Sequence, residues 1–204
     1  MDFRLLSKYG ISYPASEMSA SPSGAAEAAA RIGFPVAMKA VSPQVTHKSD
    51  RGGVILGVGS AAEAEKAYHL LMERYRGVKV EGVLVQRMAG KGAVELIVGG
   101  KRDAQFGQLI MLGLGGIFVE VFRDVSFRVC PITREDAEEM VRELRAYPII
   151  AGARGRNPVN QRALVDTMLR VSKLLEREGP SEFDINPLMA DEKGCLAVDM
   201  RILR

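Results

Sequence analysis

The strongest constraint on the fold lies near the C-terminal end. Phe183 to Ala190 and Cys195 to Ile202 read as strands, and Asp191-Glu192-Lys193-Gly194 between them reads as a turn. A symmetric hairpin closed by that turn sets Ala190 opposite Cys195 and fixes every pair below it. Asn186 then faces Asp199, and Asp184 faces Arg201. Alternation along a strand puts these four on one face, with Leu188 and Ala197 on the same face nearer the turn. A carboxylate opposite an amide oxygen offers the hard ligands that Mg²⁺ takes beside phosphate oxygens and water. The plainer reading is a solvated face, with Asp184 and Arg201 as an exposed pair contributing roughly 0.2–1 kcal/mol. Asn186 followed by Pro187 is unusual inside a strand and favours the first reading. Everything hangs on register, because a slip of one residue would separate the two sets.

A second constraint is the run from Lys39 to Gly53, KAVSPQVTHKSDRGG. It leaves an apolar strand, Val36 to Val41, crosses a polar loop and returns through a glycine pair. Ala37, Lys39 and Val41 share one strand face, opposite Val36, Met38 and Ala40. An ammonium in such a strand needs an anionic partner or must snorkel to water. His47 sits in the loop bounded by Pro43 and by Gly52-Gly53, where the chain can turn sharply and admit a phosphate closely. Cation, glycine turn and nucleophilic imidazole together suit phosphate chemistry. An ordinary hairpin with an edge lysine and an exposed histidine fits the same residues.

Composition excludes more than it proposes. With 204 residues, 47% hydrophobic and 26% charged, the chain is an ordinary globular protein able to bury a core, as one domain or two lobes. A net charge of +3 with dispersed basic residues argues against nucleic acid. Cys130 and Cys195 are far apart and lack metal spacing, so reduced cytoplasmic thiols are expected. No signal peptide and no membrane-length apolar run is present.

Between the two constraints the chain alternates helix and strand. A helix over Met1 to Tyr9, closed by Gly10, precedes an extended piece, Ile11 to Pro14. Ser21-Pro22 opens a helix whose inward residues are Ala26, Ala29, Ala30 and Ile32. The strand Val54 to Val58 follows the histidine loop. Ser60 with Glu63 forms a capping box for a helix facing inward through Ala64, Ala67, Tyr68, Leu71 and Tyr75. His69 falls beside that stripe and reads as a structural or surface histidine rather than a functional one. Glu81 to Met88 is a strand running into a glycine-flanked turn, a natural hinge. Short links predict antiparallel pairing of Ala93–Gly99, Gln108–Leu114 and Val125–Pro131. Gly113-Leu114-Gly115-Gly116 is expected to break the middle strand, as a turn or as backbone near a phosphate. Thr133 with Asp136 caps a helix with Ala137, Met140, Val141 and Leu144 inward, ending before Pro148. Asn160 caps another, carrying Leu164, Val165, Met168, Val171 and Leu175 to Gly179.

These segments carry a family resemblance over nearly the whole chain. KYGI, GFPVAMKAVSPQVTHKSDRGGV, GVLVQRM, DAQFG, MLGLGGIFVEVFRDVSFRVCPIT, AYPIIAGARG, FDINPLMA and AVDMRI are similar to the ATP-grasp, or beta, component of NDP-forming acyl-CoA synthetases. Those enzymes include ADP-forming acetate–CoA ligase and are relatives of succinyl-CoA synthetase. Members usually carry more residues before the KYGI helix, so the chain is expected to be a shortened subunit, a separated domain or a late start.

The resemblance implies an α+β ATP-grasp fold with nucleotide between two lobes, residues 1–84 with the phosphohistidine loop 42–53, and residues 85–204 with the metal-binding hairpin. It implies that Lys39 holds the α- and β-phosphates of ATP or ADP and that Val85, Gln86, Arg87 and Met88 form the strand meeting adenine, Gln86 and Met88 foremost. Gly52, Gly53 and Glu95 complete the nucleotide-binding set. Asn186 and Asp199 would hold Mg²⁺, His47 would be phosphorylated, and Asp184 would orient the phosphohistidine. The implied reaction is acyl-CoA + ADP + phosphate ⇌ acid + ATP + CoA, with CoA on an alpha subunit in a cytoplasmic hetero-oligomer of two alpha and two beta chains. The loop from Pro43 to Gly52, at about 3.3 Å per residue, allows His47 roughly 15 Å of reach. A non-catalytic ATP-grasp-like module, serving regulation or assembly, is the alternative. A carboxylate–amine ligase leaves His47 without a task.

Overall fold

The computed structural model describes residues 3–45, 51–90, 92–115, 124–155 and 157–204. Packing divides the chain into two compact units, Pro14–Met88 and Met1–Tyr13 with Ala89–Arg204. This corrects the expected division at residues 84 and 85 in two ways. The boundary falls at Met88, after the strand rather than inside it, and the first thirteen residues join the larger unit. The reason is a set of specific ties. In helix α1 (Arg4–Lys8) and just after it, Lys8 Nζ and the Tyr9 hydroxyl both donate to Glu178, at 2.6 and 2.7 Å. Arg170 donates to the Gly10 carbonyl, and the Ala197 amide donates to the Ser12 carbonyl.

The smaller unit is an antiparallel sheet with two helices on one face. Its strands are β1 (Ser16–Ser19), β2 (Val36–Val41), β3 (Val54–Val58) and β4 (Gly82–Arg87), in the order β1-β4-β2-β3. β1 is a strand that the polar residues Ser16, Glu17 and Ser19 did not announce; it forms because β4 offers it an open edge. Helices α2 (Pro22–Ile32) and α3 (Ala61–Arg74) bury Ala25, Ala29, Ala64, Tyr68 and Leu71 against Val36, Met38, Ala40, Val83 and Val85. Ala30 is exposed, and Ala25 and Ala28 take the inward places expected of it. The Ser60 hydroxyl accepts from the Glu63 amide, while the Glu63 carboxylate reaches back to the Gly59 N–H, one residue beyond the usual capping-box donor. His69 is exposed, the surface one of the two readings the sequence leaves open.

In the larger unit β5 (Val94–Asp103), β6 (Gly107–Leu114), β7 (Val125–Val129), β8 (Glu182–Ala190), β9 (Cys195–Ala197) and β10 (Met200–Leu203) form one antiparallel sheet. β8 lies between β5 and β10, with β9 also on β8. Helix α4 (Arg134–Glu143) packs on β7, and the short α5 (Tyr147–Ile150) follows with Pro148 in its first turn. A 3₁₀ turn, Ala153–Gly155, leads on toward α6 (Gln161–Glu178). α6 presents Leu164, Met168, Val171, Leu174 and Leu175 to the sheet. Gly100 lets it come close: a Cβ there would stand 2.4 Å from both the Leu109 carbonyl oxygen and Leu175 Cδ1. β6 ends at Leu114, inside the glycine run expected to break it, and Gly116 lies outside the described residues; Gly113 itself stays in the ladder. It pairs with Ile97 and Val125, and a Cβ would stand 2.8 Å from Val125 Cγ1, so close strand packing accounts for the glycine.

Carboxylates secure much of this unit. Asp136 accepts from the Thr133 amide and hydroxyl, which hold its carboxyl below the usual range. Arg128 and then Ser126 do the same for Glu143, Arg134 for Asp166, and Lys8 with Tyr9 for Glu178. Groups lowered on folding stabilise fully above the ordinary carboxylate range and lose that contribution as pH falls through their lowered values. The melting temperature is therefore expected to drop steadily between about pH 5 and pH 2. A calorimetric melting temperature that does not change across that window would contradict these assignments.

Candidate functional site

The C-terminal hairpin has the register read from the sequence. Ala190 pairs with Cys195, Leu188 with Ala197, Ile185 with Met200 and Asp184 with Arg201. Between these pairs the Asn186 amide donates to the Asp199 carbonyl and the Val198 amide to the Pro187 carbonyl. Asn186 and Asp199 are thus opposite each other.

The expected face of Leu188 and Ala197 is corrected. Both are fully buried with Phe183 and Ile185, whereas Asn186 is exposed and Asp184 half-buried. The change of phase comes from a bulge. β5 pairs Leu96 with Leu188 and Val98 with Ile185, so Asn186 and Pro187 together oppose Ile97. Pro187 cannot donate to a sheet ladder, and the bulge falls at this residue. The bulge leaves apolar residues facing α6 on both sides of it, while Asp184 and Asn186 point to the opposite face.

That outer face is a lattice of cross-strand rows. Arg201, Asp184, Gly99, Met111 and Phe127 form one row, and Leu203, Glu182, Lys101, Leu109 and Val129 form the next. Glu95 lies on the same face, exposed, beyond Ile97. A Cβ on Gly99 would stand 2.7 Å from the Phe183 carbonyl oxygen and 3.2 Å from Asp184 Cβ. The glycine leaves a groove of about 180 Å³ running from Asp184 to Phe127. The sequence signal for it is the pair Gly99-Gly100 in the middle of β5.

In the smaller unit Lys39 is only 4% exposed, between Val54 and Leu84. Ala37, its neighbour on the same face, pairs with Gln86. Gln86 is wholly buried, and neither its Oε1 nor its Nε2 has a partner. An orphaned amide costs about 1–3 kcal/mol, so its presence beside a buried lysine fits a polar ligand supplied from outside the chain. Its donor and acceptor suit the edge of a nucleotide base, and Lys39 suits a phosphate. Val85 points into the helix-covered core, so its side chain offers no polar contact. Arg87 is exposed and donates to the Ile32 carbonyl at the end of α2, at 2.6 Å. Met88 is half-buried at the end of the unit.

Gly52 takes a left-handed conformation (φ +62°), and its carbonyl accepts from Arg74 at 2.6 Å. The Gly53 carbonyl accepts from the Ala40 amide. Both glycines therefore fix the return of the loop onto the Lys39 strand. His47 lies outside the described residues. Among the described residues no cluster of three or more His, Cys, Asp or Glu side chains could hold a metal. Asn186 and Asp199 are a two-ligand set, the number that Mg²⁺ uses when phosphates and water complete its shell.

Replacing Gln86 by methionine, of similar volume and without the orphaned groups, is expected to raise stability by about 1 kcal/mol. Equilibrium denaturation measures it, and a loss of stability would mean that the amide has an unrecognised structural partner.

Comparison with known proteins places the fold in a family. A family model described as an ATP-grasp domain matches residues 2–203. The beta subunit of acetate–CoA ligase (ADP-forming) I of Pyrococcus furiosus is 48% identical over 98% of this chain and 88% of its own length. Acetate–CoA ligase (ADP-forming) I of Archaeoglobus fulgidus is 47% identical over 98% of this chain, which spans 30% of that longer protein. Among solved structures, the dinucleotide-forming acetyl-coenzyme A synthetase 1 of Ca. Korarchaeum cryptofilum, in complex with coenzyme A and Ca-AMPCP, superposes with a TM-score of 0.93 at 44% identity, covering 98% of this chain and 89% of its counterpart. Another structure of that enzyme, with coenzyme A and Mg-AMPPCP and its phosphohistidine segment pointing towards the nucleotide-binding site, gives a TM-score of 0.84 at 45% identity, covering 97% and 87%. The chain belongs to the ATP-grasp family and, within it, to the beta components of the ADP-forming acyl-CoA synthetases.

Proposed function

We propose that this chain is the nucleotide-binding subunit of an acid–CoA ligase (ADP-forming), moving a phosphoryl group between a phosphohistidine and ADP. The observation that carries the reading is the outward pair Asn186–Asp199 in the register derived above, with Asp184 beside it on the same face. The paired oxygens suit Mg²⁺, and the orphaned Gln86 with the buried Lys39 suits a nucleotide. The Korarchaeum structure with Mg-AMPPCP and a phosphohistidine segment supports the same combination.

In this reading Lys39 binds the nucleotide phosphates and Gln86 the base. Mg²⁺ held by Asn186 and Asp199 supplies neutralisation of phosphate charge. His47 is the residue phosphorylated; an imidazole of reference pKa about 6.5 is largely neutral at pH 7 and therefore nucleophilic. Asp184 accepts the N–H of the phosphorylated ring and orients it. Gly52 and Gly53 anchor the loop that carries His47, and Glu95 faces the same side of the sheet as the metal pair. A CoA-binding alpha component forms the acyl phosphate. The separate beta subunit of Pyrococcus and the longer single chain of Archaeoglobus support that partnership. We place the complex, with two alpha and two beta chains, in the cytoplasm. Burial raises the Cys195 thiol to about 12, which suits a reduced, unreactive residue. Among the described residues no helix is long and apolar enough to cross a membrane.

Co-expressed with its alpha partner, the His47→Ala variant is expected to lose acyl-CoA-dependent ATP synthesis while still binding ADP. Lys39→Ala is expected to weaken ADP binding by about tenfold or more in calorimetry. Full synthesis by the first variant, or unchanged affinity in the second, would overturn the corresponding role.

A further inference from the structure

Arg201 stands directly across the β8–β10 ladder from Asp184 and two residues from Asp199, on the face that carries the metal pair. Simple cross-strand pairing would make Asp184 its partner. Instead its Nη2 reaches Glu182 Oε2, at a long 3.3 Å, and its Nε is buried without any partner. Glu182 is itself more than half exposed and lies across β5 from Lys101, so it has a second cation within reach. A half-buried guanidinium held by one loose contact, with an unused donor and a groove open beside its carboxylate neighbour, is a site prepared for an anion.

Resting on the phosphoryl-transfer reading above, we infer that Arg201 is a catalytic residue that takes the charge of the phosphoryl group in flight, and that Glu182 is its resting counter-ion. The electrostatics favour such a group beside the metal. A dianionic phosphoryl brought to Asp184 meets like charge there, and Arg201 is a cation that the β8–β10 ladder places directly across from Asp184. In the step toward ATP the N–P bond breaks and its electron pair returns to the imidazole nitrogen. A P–O bond forms to a terminal oxygen of ADP, and the other ring nitrogen keeps its proton, donated to Asp184. Through this exchange Arg201 leaves Glu182 and donates to the equatorial oxygens of the phosphoryl group, two at once in the geometry that a guanidinium fork allows.

The test uses the full chain with its alpha partner, radiolabelled ATP and Mg²⁺, and rapid-quench measurement of protein-bound phosphohistidine. Arg201→Gln is expected to slow labelling by about 10²-fold while the affinity for ADP changes less than about threefold. Arg201→Lys should recover part of the rate, and Glu182→Gln should label at the wild-type rate or faster. Equal labelling by wild type and Arg201→Gln overturns the inference. So does an equal loss in Arg201→Gln and Glu182→Gln, since the ion pair would then be structural. If Arg201→Gln melts well below wild type, the decision passes to Arg201→Lys and Glu182→Gln, where wild-type labelling by the lysine variant or loss in the glutamine variant overturns it. A wild-type chain that takes no label refutes phosphoryl transfer itself, a result distinct from either of these.

Discussion

One extra residue in β8 decides which way the acidic end of the larger sheet faces. Without the bulge at Asn186–Pro187, strict alternation would put Leu188 on the same side as Asp184, and either an aliphatic side chain would meet water or a carboxylate would enter the core. With it, Phe183, Ile185, Leu188 and Ala190 all pack inward, and Asp184 and Asn186 both point out. The hairpin partner changes phase at the same level, Ala197 inward and Asp199 half-exposed, so the two strands stay matched. Burial of the four apolar side chains, each contributing about 1.5–3 kcal/mol where large, holds the polar pair in place. Packing thus fixes which side chains of the hairpin face outward.

Much of this was legible in the residues, and the reasons for success and failure are physical. The register was readable because a tight turn leaves the pairing little freedom, and the helices α3, α4 and α6 were readable because their caps and apolar stripes coincide. The face of Leu188 was not, because alternation assumes an unbroken ladder and Pro187 breaks it. β1 was hidden by its polar composition, since a strand can be recruited by a neighbouring edge alone. The glycine run did mark the end of β6 at Leu114, but Gly113 serves close strand packing, and a glycine that ends a strand and one that lets strands approach look alike in sequence. The attachment of the first thirteen residues to the larger unit depends on Glu178 and Arg170, distant in sequence and invisible to any local pattern.

The smaller unit gives up stability at Gln86. Gln86 buries two polar atoms without partners in the middle of a well-packed sheet, and Lys39 buries a cation one position away on the same face. The fold does not explain the orphaned Gln86 amide, whose place an apolar residue would serve as well. In the proposed reading a nucleotide base completes its hydrogen bonding. The family resemblance implies ligand roles for Lys39 and Gln86, and the structure shows at Gln86 the physical cost that such a role would entail.

The central claim, that the hairpin directs Asn186 and Asp199 together at a nucleotide-bound metal, is open to one direct measurement. In isotopically labelled chain with ADP, substoichiometric Mn²⁺ in place of Mg²⁺ should broaden the NMR signals of Asn186 and Asp199 first. Asp184 and Arg201 should follow, and the inward methyls of Leu188 and Ala197 should be affected less. Broadening centred elsewhere, or equal on both faces of β8, would contradict the account.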